Sequence, residues 1–192
     1  GIFSFSIGKL YHVCYNKNNL MKKILNTEWI IFLVIMAVAC FFRFYRLDTI
    51  PPGLWPDEAT NGVDALKAID SGDLNIFYPA NNGREGLFIN LQAVSIKVFG
   101  ANPWALRIVS AIIGILTVTG LYLLTRYIFD WRTAAIASFF LAISFWHVNF
   151  SRIGFRAIML PFILVWIFYF LWRGLRNGHL KEFFITGLFT GI

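Results

Sequence analysis

Two adjacent carboxylates, Asp57 and Glu58, follow the first long apolar run of the chain, within the stretch PPGLWPDEATNG at residues 51–62. The positive end of a helix dipole favours an ionised acid in the first turn by about 0.3–1 kcal/mol when the acid is exposed. A carboxylate held in this form can act as a general base. The structural alternative is that the two acids only cap the start of a helix. Acids so close to a bilayer surface are costly, which favours a catalytic role.

A second pair of candidates, Arg152 and Arg156, lies in the stretch SRIGFR. On a continuous helix these residues are four positions apart and share one face. Two guanidiniums on one face can bind a phosphate through charge-assisted hydrogen bonds, which predicts substrate binding. The alternative is that both side chains extend to lipid headgroups.

The third candidate group is Arg84 and Glu85, in the turn-rich stretch NNGREG. The flanking glycines would let the backbone approach a ligand closely. A local ion pair that orders the loop is the alternative. The sequence contains no P-loop, zinc-binding spacing, GxSxG or EF-hand pattern, which argues against an ATP-driven machine.

The composition indicates an integral membrane protein. Hydrophobic residues make up 58% and charged residues 14% of the chain, and the mean hydropathy is +0.65. Soluble domains have about 45–50% apolar and about 25% charged residues. The net charge of +7 fits basic residues flanking membrane segments, and we expect no nucleic-acid partner because no basic face carries interleaved aromatics. Cys14 and Cys40 have no metal or disulfide spacing.

The apolar runs predict an all-α, polytopic transmembrane helix bundle. A spanning helix needs about 20 apolar residues. Gly86–Phe99 is too short and polar, and spanning there would place later basic residues outside, so we interpret it as an interfacial helix. Residues 47–103 then form one outer loop with interfacial helices, on the same side as Ser151–Arg156. The predicted spans are Trp29–Tyr45, Trp104–Phe129, Ala134–Phe150, Ile158–Trp172 and a segment that starts at Phe183.

A helix within the outer loop would position the acid pair. Pro56 suits its first position and Gly72 its end. Asp57, Asn61 and Asp64 share one face, which makes Asn61 a candidate substrate-binding residue. The apolar residues that recur at helical spacing, and so define the opposite face, are Ala59, Val63, Leu66 and Ile69.

Residues 1–28 are predicted to be a cytoplasmic tail. The MKK at Met21–Lys23 resembles a natural start, so residues 1–20 are interpreted as an extension. The sequence ends inside an apolar run, which predicts that residues 29–192 are the N-terminal part of a larger transmembrane domain.

Four stretches in order, RFYRLDTIPPGLWPDEA, GREGLFINL, FGANPWALRIVSAIIGILTVTGLYLLTRYIF and HVNFSRIGFRA, resemble the GT-C class of polytopic membrane glycosyltransferases. The similarity is strongest to the bacterial branch related to protein O-mannosyltransferases and the aminoarabinose transferase of lipid A. It implies a polyprenyl-phosphate-linked sugar donor and a lipid, glycan or protein acceptor, with the active site on the non-cytoplasmic side of the cell membrane. It also implies Asp57 as the general base with Glu58 beside it. Glu85 matches a metal-ligand or acceptor-site acid of some relatives, so Asp57 and Glu85 are candidate ligands for a divalent metal.

One departure from the family pattern concerns the residues after Ser151 and Arg152. Many relatives have an acid there, whereas this chain has Gly154, Phe155 and Arg156, which suggests added phosphate affinity. We expect transfer of a hexosyl or pentosyl group with inversion. A secondary transporter or flippase is the alternative, but transporters place ionisable groups near the membrane midplane, whereas these charges cluster at one face. A non-catalytic assembly subunit is the third hypothesis.

Overall fold

The computed structural model describes residues 26–79 and 83–191. The predicted cytoplasmic tail therefore lies almost wholly outside the described residues. The described part is helical apart from its connecting segments and a two-stranded antiparallel ribbon of β1 (Phe77–Tyr78) and β2 (Arg84–Glu85), with Tyr78 opposite Arg84. Its helices are α1 (Asn26–Phe44), α2 (Pro56–Ser71), α3 (Gly86–Phe99), α4 (Pro103–Ile128), α5 (Trp131–Ile143), α6 (Phe145–Arg152), α7 (Met159–Asn177) and α8 (Leu180–Thr190).

The all-α membrane bundle predicted from the sequence is confirmed. Within residues 26–79 and 83–191, three helical segments are long and apolar enough to cross a membrane. They are Asn26–Phe44, Pro103–Ile128 and Arg156–Asn177, the last being α7 with the short 3-10 turn before it. The pair α5 and α6 supplies a fourth if it counts as one span, and this pair is bent by 56°.

The bend between α5 and α6 corrects the predicted continuous segment Ala134–Phe150. Ser144 has an extended backbone with ψ of 122°, which interrupts the helical hydrogen bonds. The Arg43 guanidinium donates to the carbonyl of Ala142 at 3.1 Å. A buried arginine of α1 therefore satisfies a backbone group next to the break.

The two ends of the bundle carry different polar clusters. At one end, Glu28 near the start of α1 forms an ion pair with Arg126 near the end of α4, and Tyr127 donates to Asn177 of α7 at 3.1 Å. We call this the far end. The other end, where α1 and α6 finish and α4 and α7 begin, carries α2 and is called the acid-pair end.

Helix α3 stays at the acid-pair end. Ser95, in the C-terminal half of α3, donates to the carbonyl of Ala105 at 2.6 Å, and Gln92, at the middle of the helix, donates to that of Leu106 at 3.1 Å. Both acceptors lie in the first turn of α4. At the start of α3, Glu85 contacts Arg156 just before α7. A helix with both ends at the same end of the bundle does not traverse it, in agreement with the non-spanning helix predicted for Gly86–Phe99.

Helix α2 forms where the sequence predicts it, beginning at Pro56 and ending before Gly72, whose φ of +76° suits glycine. Its polar face is turned towards the protein, however. Of the predicted polar face, Asn61 and Asp64 are buried and Asp57 is partly exposed. The predicted apolar face includes Val63 at 51% exposure and Leu66 at 40%. The buried side of α2 also contributes small residues to a core shared with α3 and α4, formed by Ala65, Ala68, Tyr78, Ile89, Ala93, Ile96, Ala105 and Leu106.

Candidate active site

Glu58 is the best-enclosed acid of the acid-pair end. Its side chain is 0% exposed and pairs with Arg107 of α4, which is 1% exposed. Arg107 Nε donates to Oε1 at 2.7 Å and a terminal nitrogen donates to Oε2 at 3.3 Å. The backbone N–H of Trp55 also donates to Oε2, at 3.1 Å. Glu58 was predicted as a catalytic residue, but both of its oxygens are engaged by the protein, an arrangement that fits positioning.

Arg107 also fixes the segment that leads into α2. Its guanidinium donates to the carbonyls of Leu47 at 3.1 Å and Pro51 at 3.0 Å, and also to that of Gly53. One buried arginine therefore joins the end of α1, the Pro-rich connector and the first turn of α2. The position of Asp57, which follows Pro56 in that turn, depends on this anchor. Asp57 is partly exposed, unlike its neighbour Glu58.

Asn61 and Arg84, both predicted to bind substrate, contact each other. Arg84 is 2% exposed and forms an ion pair with Asp64, and its other terminal nitrogen donates to Asn61 Oδ1 at 2.5 Å. The structural alternative, a local ion pair of Arg84 with Glu85, is not the pair that Glu85 forms, because Glu85 pairs with Arg156. The buried cluster of Asn61, Asp64 and Arg84 joins β2 to α2, so its polar atoms hold the loop together.

Arg152 and Arg156 do not share a helical face, which corrects the predicted phosphate clamp. Helix α6 ends at Arg152, and Arg156 begins a separate 3-10 turn. Gly154, with φ of +31°, lies between them in a conformation that a continuous helix does not have. The two guanidiniums therefore have different surroundings. That of Arg152 donates to the carbonyls of Phe42, Tyr45 and Ile50 at 2.7, 2.8 and 2.9 Å.

Gly154 brings the stretch after α6 onto the acid pair. Its carbonyl accepts from Asn61 and from Gln92, each at 3.4 Å. A Cβ placed at this glycine would lie 2.9 Å from Glu58 Cγ. The predicted meeting of the α2 acids with the segment Ser151–Arg156 at one end of the bundle is therefore observed.

Arg156 lies at a cavity of about 430 Å³ between the start of α3 and the start of α7. Its side chain is 37% exposed, and that of its partner Glu85 is 74% exposed. A backbone hydrogen bond from its own N–H lowers the pKa of Glu85 below the ordinary value of 4.5; Arg156 lowers it further, against a partial burial that raises it. Glu85 is therefore ionised at neutral pH. The other lining residues are Leu87, Phe88, Phe155, Ala157, Met159, Leu160 and Ile163.

The metal prediction gains no support from the geometry. Within residues 26–79 and 83–191, no group of three or more His, Cys, Asp or Glu side chains could hold a metal ion. Glu85, one of the two candidate ligands, has its carboxylate on Arg156.

The sequence reasoning missed the two most enclosed arginines. Arg43 is 0% exposed, and besides Ala142 it contacts His147 Nδ1 at 2.7 Å. Arg107 holds Glu58. Both lie at the ends of predicted spanning segments, and ionisable residues in such segments have partners or functions. That signal could have identified them. Gln92 and Gly154 carry no comparable signal, because their roles depend on tertiary contacts.

The fold and the site together define an all-α membrane protein with a buried acid and arginine cluster at one end of its helix bundle. Residues 87–192 match the family described as dolichyl-phosphate-mannose-protein mannosyltransferase. This match covers more than half of the chain, and the chain belongs to that family.

A curated relative from Bacillus subtilis (strain 168), named "Putative mannosyltransferase YkcB", is 24% identical over 172 aligned residues. The alignment covers 83% of this chain and 23% of the relative, so the chain spans about a quarter of that protein's length. No solved structure matches the chain.

Proposed function

We propose that the protein is a membrane glycosyltransferase that moves a sugar from a polyprenyl-phosphate-linked donor to a lipid, glycan or protein acceptor at the outer face of the membrane. Family membership and the name of the Bacillus relative support the reaction class. The observation that carries the site assignment is the enclosed Glu58–Arg107 pair, which fixes the first turn of α2 and leaves the neighbouring Asp57 partly exposed.

In this mechanism Asp57 is the general base and Glu58 is a positioning residue. The Asp57 carboxylate takes the proton of the acceptor hydroxyl as the acceptor oxygen bonds to the anomeric carbon of the sugar. The bond from that carbon to the phosphate oxygen breaks, and the lipid phosphate leaves with the electron pair. One displacement inverts the anomeric carbon. The leaving group needs charge stabilisation more than protonation, and Arg156 is a partly exposed cation at the same end.

The test is the substitution Asp57→Asn, with Asp70→Asn as its matched control. Asp70 is an exposed acid in the last turn of the same helix. Loss of a general base slows a reaction by about 10²–10⁴-fold, so we expect a decrease of that size for Asp57→Asn and little change for Asp70→Asn. The measurement is transfer from a polyprenyl-phosphate sugar in reconstituted vesicles, with membrane insertion checked for both variants. Equal transfer rates for the two variants would contradict the assignment of Asp57 as the general base.

A flippase of a lipid-linked substrate is the second candidate, because broken helices such as α5 and α6 occur in transporters. The same vesicles separate the two functions. Movement of a labelled polyprenyl-phosphate sugar across the bilayer without any glycosylated product would favour transport. A glycosylated product of inverted anomeric configuration, identified by NMR, would favour the transferase.

A further inference from the structure

Four arginines of the candidate site, Arg84, Arg107, Arg152 and Arg156, fall into two groups by exposure. Arg84, Arg107 and Arg152 are at most 9% exposed, and their guanidiniums donate to acceptors inside the protein. Arg156 has 37% of its side chain exposed, and its carboxylate partner, Glu85, is 74% exposed. Of these arginines, Arg156 is the one that a ligand could reach without dismantling buried structure.

The surroundings of Arg156 define the chemistry of that ligand. Apart from the Glu85–Arg156 pair, the cavity walls are apolar side chains of α3, α7 and the turn before α7. An anionic group bound to Arg156 would therefore lie next to a space suited to hydrocarbon. A small anion would leave the apolar walls unused, and an uncharged lipid would leave the guanidinium unused. A phosphate on a single hydrocarbon chain matches both parts.

We propose that the Glu85 carboxylate occupies the position on Arg156 where the phosphate of the donor binds. The lipid phosphate displaces Glu85 from Arg156, and its hydrocarbon chain enters the cavity between α3 and α7. This inference rests on the proposed function and concerns how the donor enters the site. An exposed ion pair contributes little net stability, so it opens readily. A phosphate offers more acceptor oxygens and more charge to a guanidinium than a carboxylate does. Glu85 thus acts as an internal competitor that keeps weaker anions off Arg156.

The test is equilibrium binding of a sugar-free polyprenyl phosphate to the full-length protein in nanodiscs of neutral lipid. The exposed Glu85–Arg156 pair is weak, so removing the Glu85 carboxylate should tighten lipid-phosphate binding only modestly. For Glu85→Gln we expect about a two- to five-fold decrease in Kd. Arg156→Gln removes the charge-assisted contact and should raise Kd by about ten-fold or more. The double variant should match Arg156→Gln, because Glu85 acts through Arg156. Arg176→Gln, which changes an arginine stacked on Tyr127 at the far end, is the matched control and should leave Kd unchanged.

Two further probes separate the parts of the ligand. The polyprenol that lacks phosphate should bind wild type and Glu85→Gln equally. Inorganic phosphate alone should compete poorly with the lipid phosphate, because it does not fill the cavity. Strong competition by inorganic phosphate would show a simple anion site and would overturn the proposal, as would unchanged or weaker lipid-phosphate binding by Glu85→Gln.

The binding assay needs no sugar transfer, so the two hypotheses fail separately. If Glu85→Gln does not tighten binding while Asp57→Asn still abolishes transfer, the competitor role of Glu85 is wrong and the proposed function stands. If Asp57→Asn transfers normally, the catalytic assignment fails whatever the binding result.

Discussion

At the scale of single residues, the described part of the acid-pair end contains two glutamate–arginine ion pairs in opposite surroundings. Glu58 and Arg107 are enclosed, whereas the side chains of Glu85 and Arg156 are 74% and 37% exposed. Removing one partner of a buried pair leaves an uncompensated charge, whereas an exposed pair is screened and contributes little. Burial therefore assigns a structural role to one glutamate and leaves the other available for exchange with a ligand.

This contrast predicts different stabilities for two equivalent substitutions. Glu58→Gln keeps the shape of the side chain but leaves the buried charge of Arg107 without its carboxylate partner. This loss should lower the free energy of unfolding by about 3–5 kcal/mol. Glu85→Gln should cost at most about 1 kcal/mol, because its pair is largely exposed. Denaturant unfolding of the two variants in the same detergent measures both values. Similar losses for the two variants would contradict the assigned roles.

At the scale of elements, the helices could be predicted from the sequence and their faces could not. Hydropathy located α1 and α4 to within a few residues, and Pro56 and Gly72 delimited α2. The pattern of α2 gave no indication that its polar face is buried, because the partners of that face, Arg84 and Arg107, come from distant parts of the chain. The break at Ser144 was missed for the same reason, since an arginine from α1 satisfies a carbonyl beside it.

The dependence on contacts between distant parts of the chain also explains how much of the candidate site could be predicted from the sequence. The acid pair and the segment Ser151–Arg156 were predicted to meet, and they do so through Gly154. Their individual contacts were not predictable, because spacing along a helix says nothing about where that helix ends. A glycine with positive φ after Arg152 separates two arginines that the sequence placed together.

Gly154 allows a test of this junction between α6 and α7. In Gly154→Ala the new Cβ would lie 2.9 Å from Glu58 Cγ and 3.3 Å from Gln92 Nε2, on a backbone with φ of +31°. We expect this variant to unfold at lower temperature and to lose transfer, because the acid pair must shift. Gly178→Ala is the control: its φ is +68° and no atom lies within 4 Å of the added Cβ. It shares the backbone strain without the collision, so an equal loss of transfer in both variants would argue against the packing explanation.

At the scale of the whole molecule, the contacts establish which groups share an end of the bundle. Arg107 joins α4 to α2, and Arg152 joins α6 to the end of α1. The Glu28–Arg126 pair lies at the far end. A donor with its chain in the bilayer presents its sugar at a membrane surface, so a transferase needs its base, its phosphate contact and its anchors at one such surface. The proposed base Asp57 and the proposed phosphate contact Arg156 share the acid-pair end, and the positive-inside rule predicts that this end lies at the outer surface.

The sidedness of the acid-pair end can be measured by cysteine labelling in intact cells. Asp73, in the exposed connector after α2, reports on the acid-pair end, and His179, exposed between α7 and α8, reports on the far end. The nineteen residues of α7 extend about 28 Å at 1.5 Å per residue, enough to separate the two positions by roughly a bilayer core. With Cys14 and Cys40 replaced by serine, we expect a membrane-impermeant maleimide to label Asp73→Cys in intact cells and His179→Cys after permeabilisation. The reverse pattern would place the acid-pair end in the cytoplasm and contradict transfer at the outer face.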